Sequence, residues 1–151
     1  MLDIEKKIAQ IKEKFAPLHS NDERIRYILD LGRTLPPFPL KDRIEANQVS
    51  GCQSVLYLTS RLTDGKLFFQ SAADALLSAG LAALLIEIYS GETPQIILKT
   101  PPDFLANLGI LGSLTFSRSN GLAHIHQRIK KDALKFLISG SKPMEFNSSP
   151  G

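Results

Sequence analysis

An α+β fold with a small antiparallel sheet is what the order of segments predicts. Two helical patterns come first, a single hairpin at about 54–71 follows, and several helices complete the chain. Only two or three strands are available, and none alternates with helices as a βαβ unit requires, so the sheet is expected to pack against the helices and a doubly wound nucleotide fold is not expected. The 151 residues are expected to form one domain over 1–140, with 141–151 a disordered tail.

Ile4, Ile8, Ile11 and Phe15 recur at helical spacing and predict an amphipathic helix that stops before Pro17. Ser20-Asn21-Asp22-Glu23 has the form of a capping box. The helix it starts carries Ile25, Ile28, Leu29 and Leu31 on one face, with Gly32 near its end and Pro36-Pro37 forbidding continuation. Residues 36–50 form a long surface connection, with a short strand expected near Ile44 to Val49. Val55 to Thr59 and Lys66 to Gln70 are apolar, aromatic or β-branched, and Thr63-Asp64-Gly65 is a turn signal between them. Asp74 to Tyr89 is apolar nearly all round and predicts a central buried helix stopped by Gly91. Thr93-Pro94 starts a short helix by N-cap and N1 proline, which Pro101-Pro102 breaks. Short turns over 103–114 lead to a last helix from Ser117 or Ser119 to about Ser139. Its inward face is Leu122, Ile125, Ile129, Ala133, Phe136 and Leu137, and Gly140 ends it.

Charge narrows the function classes. Eighteen Lys+Arg against fifteen Asp+Glu give a formal net charge of +3, spread along the chain, so nucleic acid is not an expected partner. The longest apolar run, Leu81 to Ile86, is too short to span a bilayer, and membrane association is not expected. One free cysteine and the lack of an apolar h-region in the first residues lead to an expected cytoplasmic location.

That cysteine, Cys52, stands in Val49-Ser50-Gly51-Cys52-Gln53-Ser54, where the proline-rich connection gives way to the hairpin. It is open to two readings, a small buried apolar residue or a reactive thiol. Gly51 permits a left-handed turn and a close backbone approach, and Gln53 continues a polar surround. No Cys-x-x-Cys exists for an internal dithiol cycle, and no Gly-x-Cys-x-Gly elbow is present. A zinc site is not expected from one cysteine and three histidines. His124 and His126, two apart on a helix, point different ways and read as surface or partly packed; His19 reads as a loop residue. Asp74 is a candidate N-cap or first-turn acid of the central helix, and Arg118 an exposed residue near the start of the last one. Gly121, inside a helix, suggests close packing or a binding surface.

Taken together the motifs resemble the SufE family of sulfur-acceptor proteins, including its CsdE relatives, from Tyr27 to about Ile129. Tyr27-Ile28 and Leu31-Gly32-Arg33-Thr34-Leu35-Pro36 precede the Val49–Ser54 stretch. Asp74-Ala75, Gly80-Leu81, Tyr89 and Thr93-Pro94 follow, then Leu114-Thr115-Phe116-Ser117-Arg118-Ser119-Asn120-Gly121-Leu122. Departures from the family pattern are Tyr57 where a tryptophan is usual, Ala72 where an acid is frequent, and Phe116 where proline is usual.

The resemblance implies a sulfur acceptor. A group II cysteine desulfurase (SufS- or CsdA-like), which carries its own PLP, would pass a persulfide sulfur to Cys52 and be activated by its removal. The sulfur would then go to an iron–sulfur scaffold (SufBCD-like). The chain itself needs no cofactor or metal in this scheme. Arg118 and Asp74 match family positions, the first expected to stabilise sulfur charge or dock the partner, the second to order the loop or the helix start. The alternatives are an autonomous thiol enzyme of peroxidase or hydrolase type, and an interaction module in which Cys52 is structural.

Overall fold

Residues 2–51, 54–110, 112, 114 and 116–140 are described by the computed structural model, 116–119 and 140 in backbone alone. The expected tail at 141–151 lies outside them. Within them the chain is α+β: six α-helices and one two-stranded antiparallel sheet.

The spacing of Ile4, Ile11 and Phe15 produces α1 (Asp3–Phe15), with all three buried. Next, α2 (Asn21–Arg33) starts at the expected capping box. The Ser20 hydroxyl accepts from the Glu23 amide at 3.1 Å, and Glu23 accepts from the Ser20 amide at 3.1 Å. The His19 amide, then the Ser20 hydroxyl, hold the Glu23 carboxyl below its ordinary range. The buried positions of α2 are Ile28 and Gly32, with Tyr27 and Leu31 packed beside them; Ile25 and Leu29 are only half-buried.

Gly32 lies near the end of α2, as expected, one residue before its last. Its role is set by α3 (Leu76–Tyr89), which is apolar on nearly every side and buries Ser78 through Leu85. A Cβ on Gly32 would stand 2.8 Å from the Gly80 nitrogen and 2.8 Å from the Leu76 oxygen. A Cβ on Gly80 would overlap the Ile28 carbonyl. Two glycines thus bring the helix backbones into direct contact, closer than interlocking side chains permit.

Between α2 and the sheet, the proline-rich connection forms two 3₁₀ turns, at Leu40–Asp42 and Glu45–Asn47. The strand expected near 44–49 is reduced to one bridge between Gln48 and Tyr57. Side chains hold this connection instead. Phe38 stacks on Tyr57 with ring centres 6.1 Å apart, and the Arg43 guanidinium lies 5.8 Å from the Tyr57 ring. The hairpin pairs β1 (Leu56–Thr63) with β2 (Lys66–Ala73), from Leu56 opposite Ala73 to Thr63 opposite Lys66. Asp64 and Gly65 make its turn, both at positive φ (52° and 79°), as a two-residue hairpin with right-handed strand twist prefers. Leu56, Leu58, Leu67 and Phe69 face inward, and β2 packs on α3.

Central helix α3 starts at Leu76, two residues later than expected, with Ala75 as a cap that offers no side-chain acceptor. Asp74 is therefore neither its N-cap nor a first-turn acid. At the other end, Gly91 turns at φ 86°, and Lys7 of α1 donates to the Ser90 carbonyl at 2.9 Å and pairs with Glu92 at 2.6 Å. Thr93 caps α4 (Pro94–Lys99) by accepting from the Ile96 amide at 3.2 Å. After α5 (Phe104–Asn107), α6 (Phe116–Gly140) buries Leu122, Ile125, Ile129 and Ala133 against α3 and α4, while Phe136 and Leu137 are half-buried. Gly121, expected to mark close packing or a binding surface, is buried, and no described atom lies within 4 Å of where its Cβ would stand.

The two glycine environments predict unequal responses. Gly80→Ala is expected to destabilise the protein by about 3 kcal/mol, the upper range for overpacking, because backbone cannot rotate away. Gly121→Ala, whose Cβ would meet no described atom, is expected to cost clearly less than Gly80→Ala. Urea unfolding of the two variants checks this; equal midpoints would contradict it.

Candidate functional site

The stretch around the lone cysteine is a loop closed at its base. The Val49 amide donates to the Leu56 carbonyl at 2.9 Å, so residues 50–55 leave and rejoin the framework at one point. Two further contacts hold its flanks. On the C-terminal side the Ser54 and Ser78 hydroxyls are 2.9 Å apart, tying the loop to buried α3. On the N-terminal side Gly51 turns at φ 86° against the imidazole of His124, from α6. Cys52 and Gln53 themselves lie outside the described residues.

Asp74 stands next to the strand that leads out of this loop. Its amide donates to the Val55 carbonyl at 3.1 Å, extending the hairpin pairing by one rung, while its side chain is exposed. Arg118 lies in the first turn of α6, with its side chain outside the described residues. Six residues separate it from His124, about 9 Å of helix rise.

Two residues at the site were not legible as such in the sequence. His124, read as a surface or partly packed residue, lies against the glycine that precedes Cys52. Arg128, one turn further along α6, donates to the carbonyls of Ala46 at 3.1 Å and Gln48 at 3.3 Å. Its Nε pairs with Asp132 at 3.2 Å, and the Ser60 hydroxyl donates to the other oxygen of Asp132 at 2.8 Å. This chain of bonds fastens the lead-in to the loop onto α6 and β1. The available signal was the helical spacing of 124, 128 and 132 on one stripe.

Beside the loop, a groove of about 310 Å³ is lined by Ser50, Gln48, His124, Gln127, Arg128 and Lys131, among others, with no carboxylate among the described residues of its lining. Lys131 forms no ion pair with a described residue. A larger cavity of about 460 Å³ continues past Arg128 between β1 and α6, where Asp42 and Asp132 offset Arg61 and Lys135. No cluster of three metal-ligating side chains occurs among the described residues. No described helix is long and apolar enough to cross a membrane.

His126 does the opposite of His124. It is buried in the core, contrary to the surface or partly packed reading. The Tyr89 hydroxyl has one proton and gives it to the Thr100 carbonyl at 2.8 Å, so His126 Nε2, 3.2 Å away, must be the donor to the tyrosine oxygen. Burial, then the Lys130 charge, push the imidazole down to about 4. Burial, then Asp103, push the Tyr89 hydroxyl up.

Fold and site together define a small α+β protein organised around one thiol-bearing loop braced by two helices. The chain belongs to the SufE family: the family's domain, described as Fe-S metabolism associated, matches residues 9–133. An uncharacterized SufE-like protein of Synechocystis is 38% identical over 134 residues, 89% of this chain and 84% of that protein. The cysteine desulfuration protein SufE of Plasmodium falciparum is 34% identical over 108 residues, 68% of this chain and 43% of that protein. The solution structure of a hypothetical protein from Thermus thermophilus superposes with a TM-score of 0.73 at 27% identity, covering 87% of this chain and 96% of that one.

His126 makes stability pH-dependent with a definite sign. Its folded value of about 4 lies below the ordinary 6.5, so the unfolded chain binds more protons between them. The contribution is full above pH 6.5 and is lost as pH falls towards 4. Thermal melts across that window should show a steeper acid loss in the wild type than in His126→Phe; parallel curves would contradict the assignment.

Proposed function

We propose that this protein is a sulfur carrier that takes sulfane sulfur from the persulfide of a PLP-dependent cysteine desulfurase onto Cys52. It thereby activates the desulfurase and passes the sulfur to an iron–sulfur assembly scaffold. The observation that carries this reading is membership of the SufE family over residues 9–133, a span that includes the only cysteine of the chain. The relative named a cysteine desulfuration protein supports the same chemistry.

The reaction is a thiol exchange in which every atom is supplied by the two proteins. Cys52 thiolate attacks the outer sulfur of the donor's cysteine persulfide. A new S–S bond forms at Cys52, the donor's S–S bond breaks, and the donor's thiolate leaves with the electron pair. The sulfane sulfur keeps its oxidation level, so no electron acceptor or reductant enters. A second cysteine in the carrier would compete by attacking the loaded persulfide and expelling its cargo, and this chain has none.

Each neighbouring residue has a defined part in this scheme. Arg118 stabilises thiolate or persulfide charge or docks the donor, a role suited to a guanidinium. Asp74 orders the exit of the loop through its bond to Val55. Gly51 supplies the turn before the thiol, and Gln53 the polar surround after it. The carboxylate-free groove beside Ser50 complements acidic side chains on a docking protein.

Intact-mass measurement after incubation with a group II cysteine desulfurase and cysteine is the test. The wild type is expected to gain one sulfur atom that dithiothreitol removes, and Cys52→Ser to gain none. Arg118→Ala is expected to gain it more slowly. No gain by the wild type, or equal gain by Cys52→Ser, would overturn the proposal; a wild-type rate for Arg118→Ala would remove the arginine from it.

A further inference from the structure

The contact between α6 and the loop is unusual in form. A Cβ on Gly51 would stand 2.5 Å from Cδ2, 2.5 Å from Nε2 and 2.6 Å from Cε1 of His124, its three nearest atoms. Near-equal distances to three consecutive ring atoms describe a point over the face of the ring. An approach to the edge would bring one atom clearly closer than its neighbours. The imidazole therefore lies flat over the side of Gly51 that any other residue would fill with its own side chain. Its nitrogens then point sideways in the ring plane, and they form no hydrogen bond to a described residue.

Gly51 is at φ 86°, a conformation that glycine enters freely and L side chains rarely adopt. The next residue in the chain is Cys52. Whatever settles the Gly51 turn thus settles where the chain heads as it reaches the thiol. A glycine left to itself is the residue least able to hold one such turn, because its backbone is the freest. The ring is half-buried on a long helix whose inner face, Leu122, Ile125 and Ile129, is in the core, so it is itself well anchored. Arg128, the neighbouring cation in the groove, is committed to Asp132 and to the carbonyls of Ala46 and Gln48.

The geometry points to His124 as a positioning residue of the sulfur-transfer site: its ring face clamps the left-handed turn at Gly51, the residue that precedes Cys52 in the chain. This inference rests on Cys52 being the sulfur carrier and adds the residue that directs it. His124 acts through Gly51 by shape, and its ring nitrogens are not required.

A mutant cycle on the full chain tests this with two readouts. One is single-turnover sulfur acceptance from a cysteine desulfurase; the other is alkylation of Cys52 by iodoacetamide, which needs no partner. The variants are His124→Ala, His124→Phe, His124→Gln, Gly51→Ala, and Gly51→Ala combined with His124→Ala. Sulfur acceptance at saturating desulfurase is expected to fall about tenfold in His124→Ala, with the half-saturating concentration and melting temperature little changed. His124→Phe should restore it and His124→Gln should not. The double variant should be less impaired than the product of the single effects, because removing the ring makes room for the new Cβ. Wild-type acceptance and alkylation rates in His124→Ala would overturn the inference. So would rescue by Gln and not Phe, or a strictly multiplicative cycle. Should Gly51→Ala fail to fold, the Ala, Phe and Gln series at 124 decides alone. If even the wild type accepts no sulfur, the carrier reading fails, and the alkylation rates still show whether His124 aims the thiol.

Discussion

Gly80 of α3 lies so close to the Ile28 carbonyl of α2 that the space between them admits no side chain. Contact at that distance sets how deep α3 sits in the molecule. With α2 drawn in on one side, α3 is free to take the hairpin, α1 and α6 on its others. Its run of small and branched residues, buried from Ser78 to Leu85, is what a helix surrounded by neighbours requires. The cost is one interior glycine in each of the crossing helices, a propensity loss of about 1 kcal/mol each, which packing must offset.

From that buried helix the site is built outward. Ser78, one of the few polar residues in the interior of α3, gives the loop its inner anchor at Ser54. On the outside α6 supplies two anchors in successive turns, the His124 ring on Gly51 and the Arg128 guanidinium on the carbonyls before it. The backbone contributes the remaining two, Val49 to Leu56 and Asp74 to Val55. A thiol that must exchange sulfur with another protein needs both exposure and a reproducible direction. Bracing the loop from a core helix and a surface helix meets the second need while Ser50 and Gly51 remain exposed.

Much of this was legible in the sequence because it depends on local chemistry. The Ser20–Glu23 box, the Asp64-Gly65 turn and the Thr93-Pro94 start each carry their own geometry, and each appears where its residues put it. What escaped depends on partners distant in the chain. Gly32 stands near the end of α2 as expected, but nothing local shows that it packs against Gly80. The connection at 44–49 alternates enough to suggest a strand, yet Phe38, Tyr57 and Arg43 stack it into turns with one bridge. His124 and His126 are indistinguishable by composition; the two-residue step along α6, a little over half a turn, sends the first to the loop and the second to Tyr89. The departures from the family pattern also find places. Tyr57 and Ala72 face each other across the hairpin, so a smaller ring and a lost acid occur as one cross-strand pair. Phe116 is the first residue of α6, the position where proline is favoured.

The central claim is that sulfur passes through Cys52 on its way between two proteins. Radiolabelled sulfur supplied as cysteine to the desulfurase, followed through one turnover, addresses it directly. Label is expected on the Cys52 peptide first, then its loss from that peptide and appearance on the iron–sulfur scaffold once the scaffold is added. Label that remains on the desulfurase, or that reaches the scaffold at the same rate when Cys52 is replaced by serine, would contradict it.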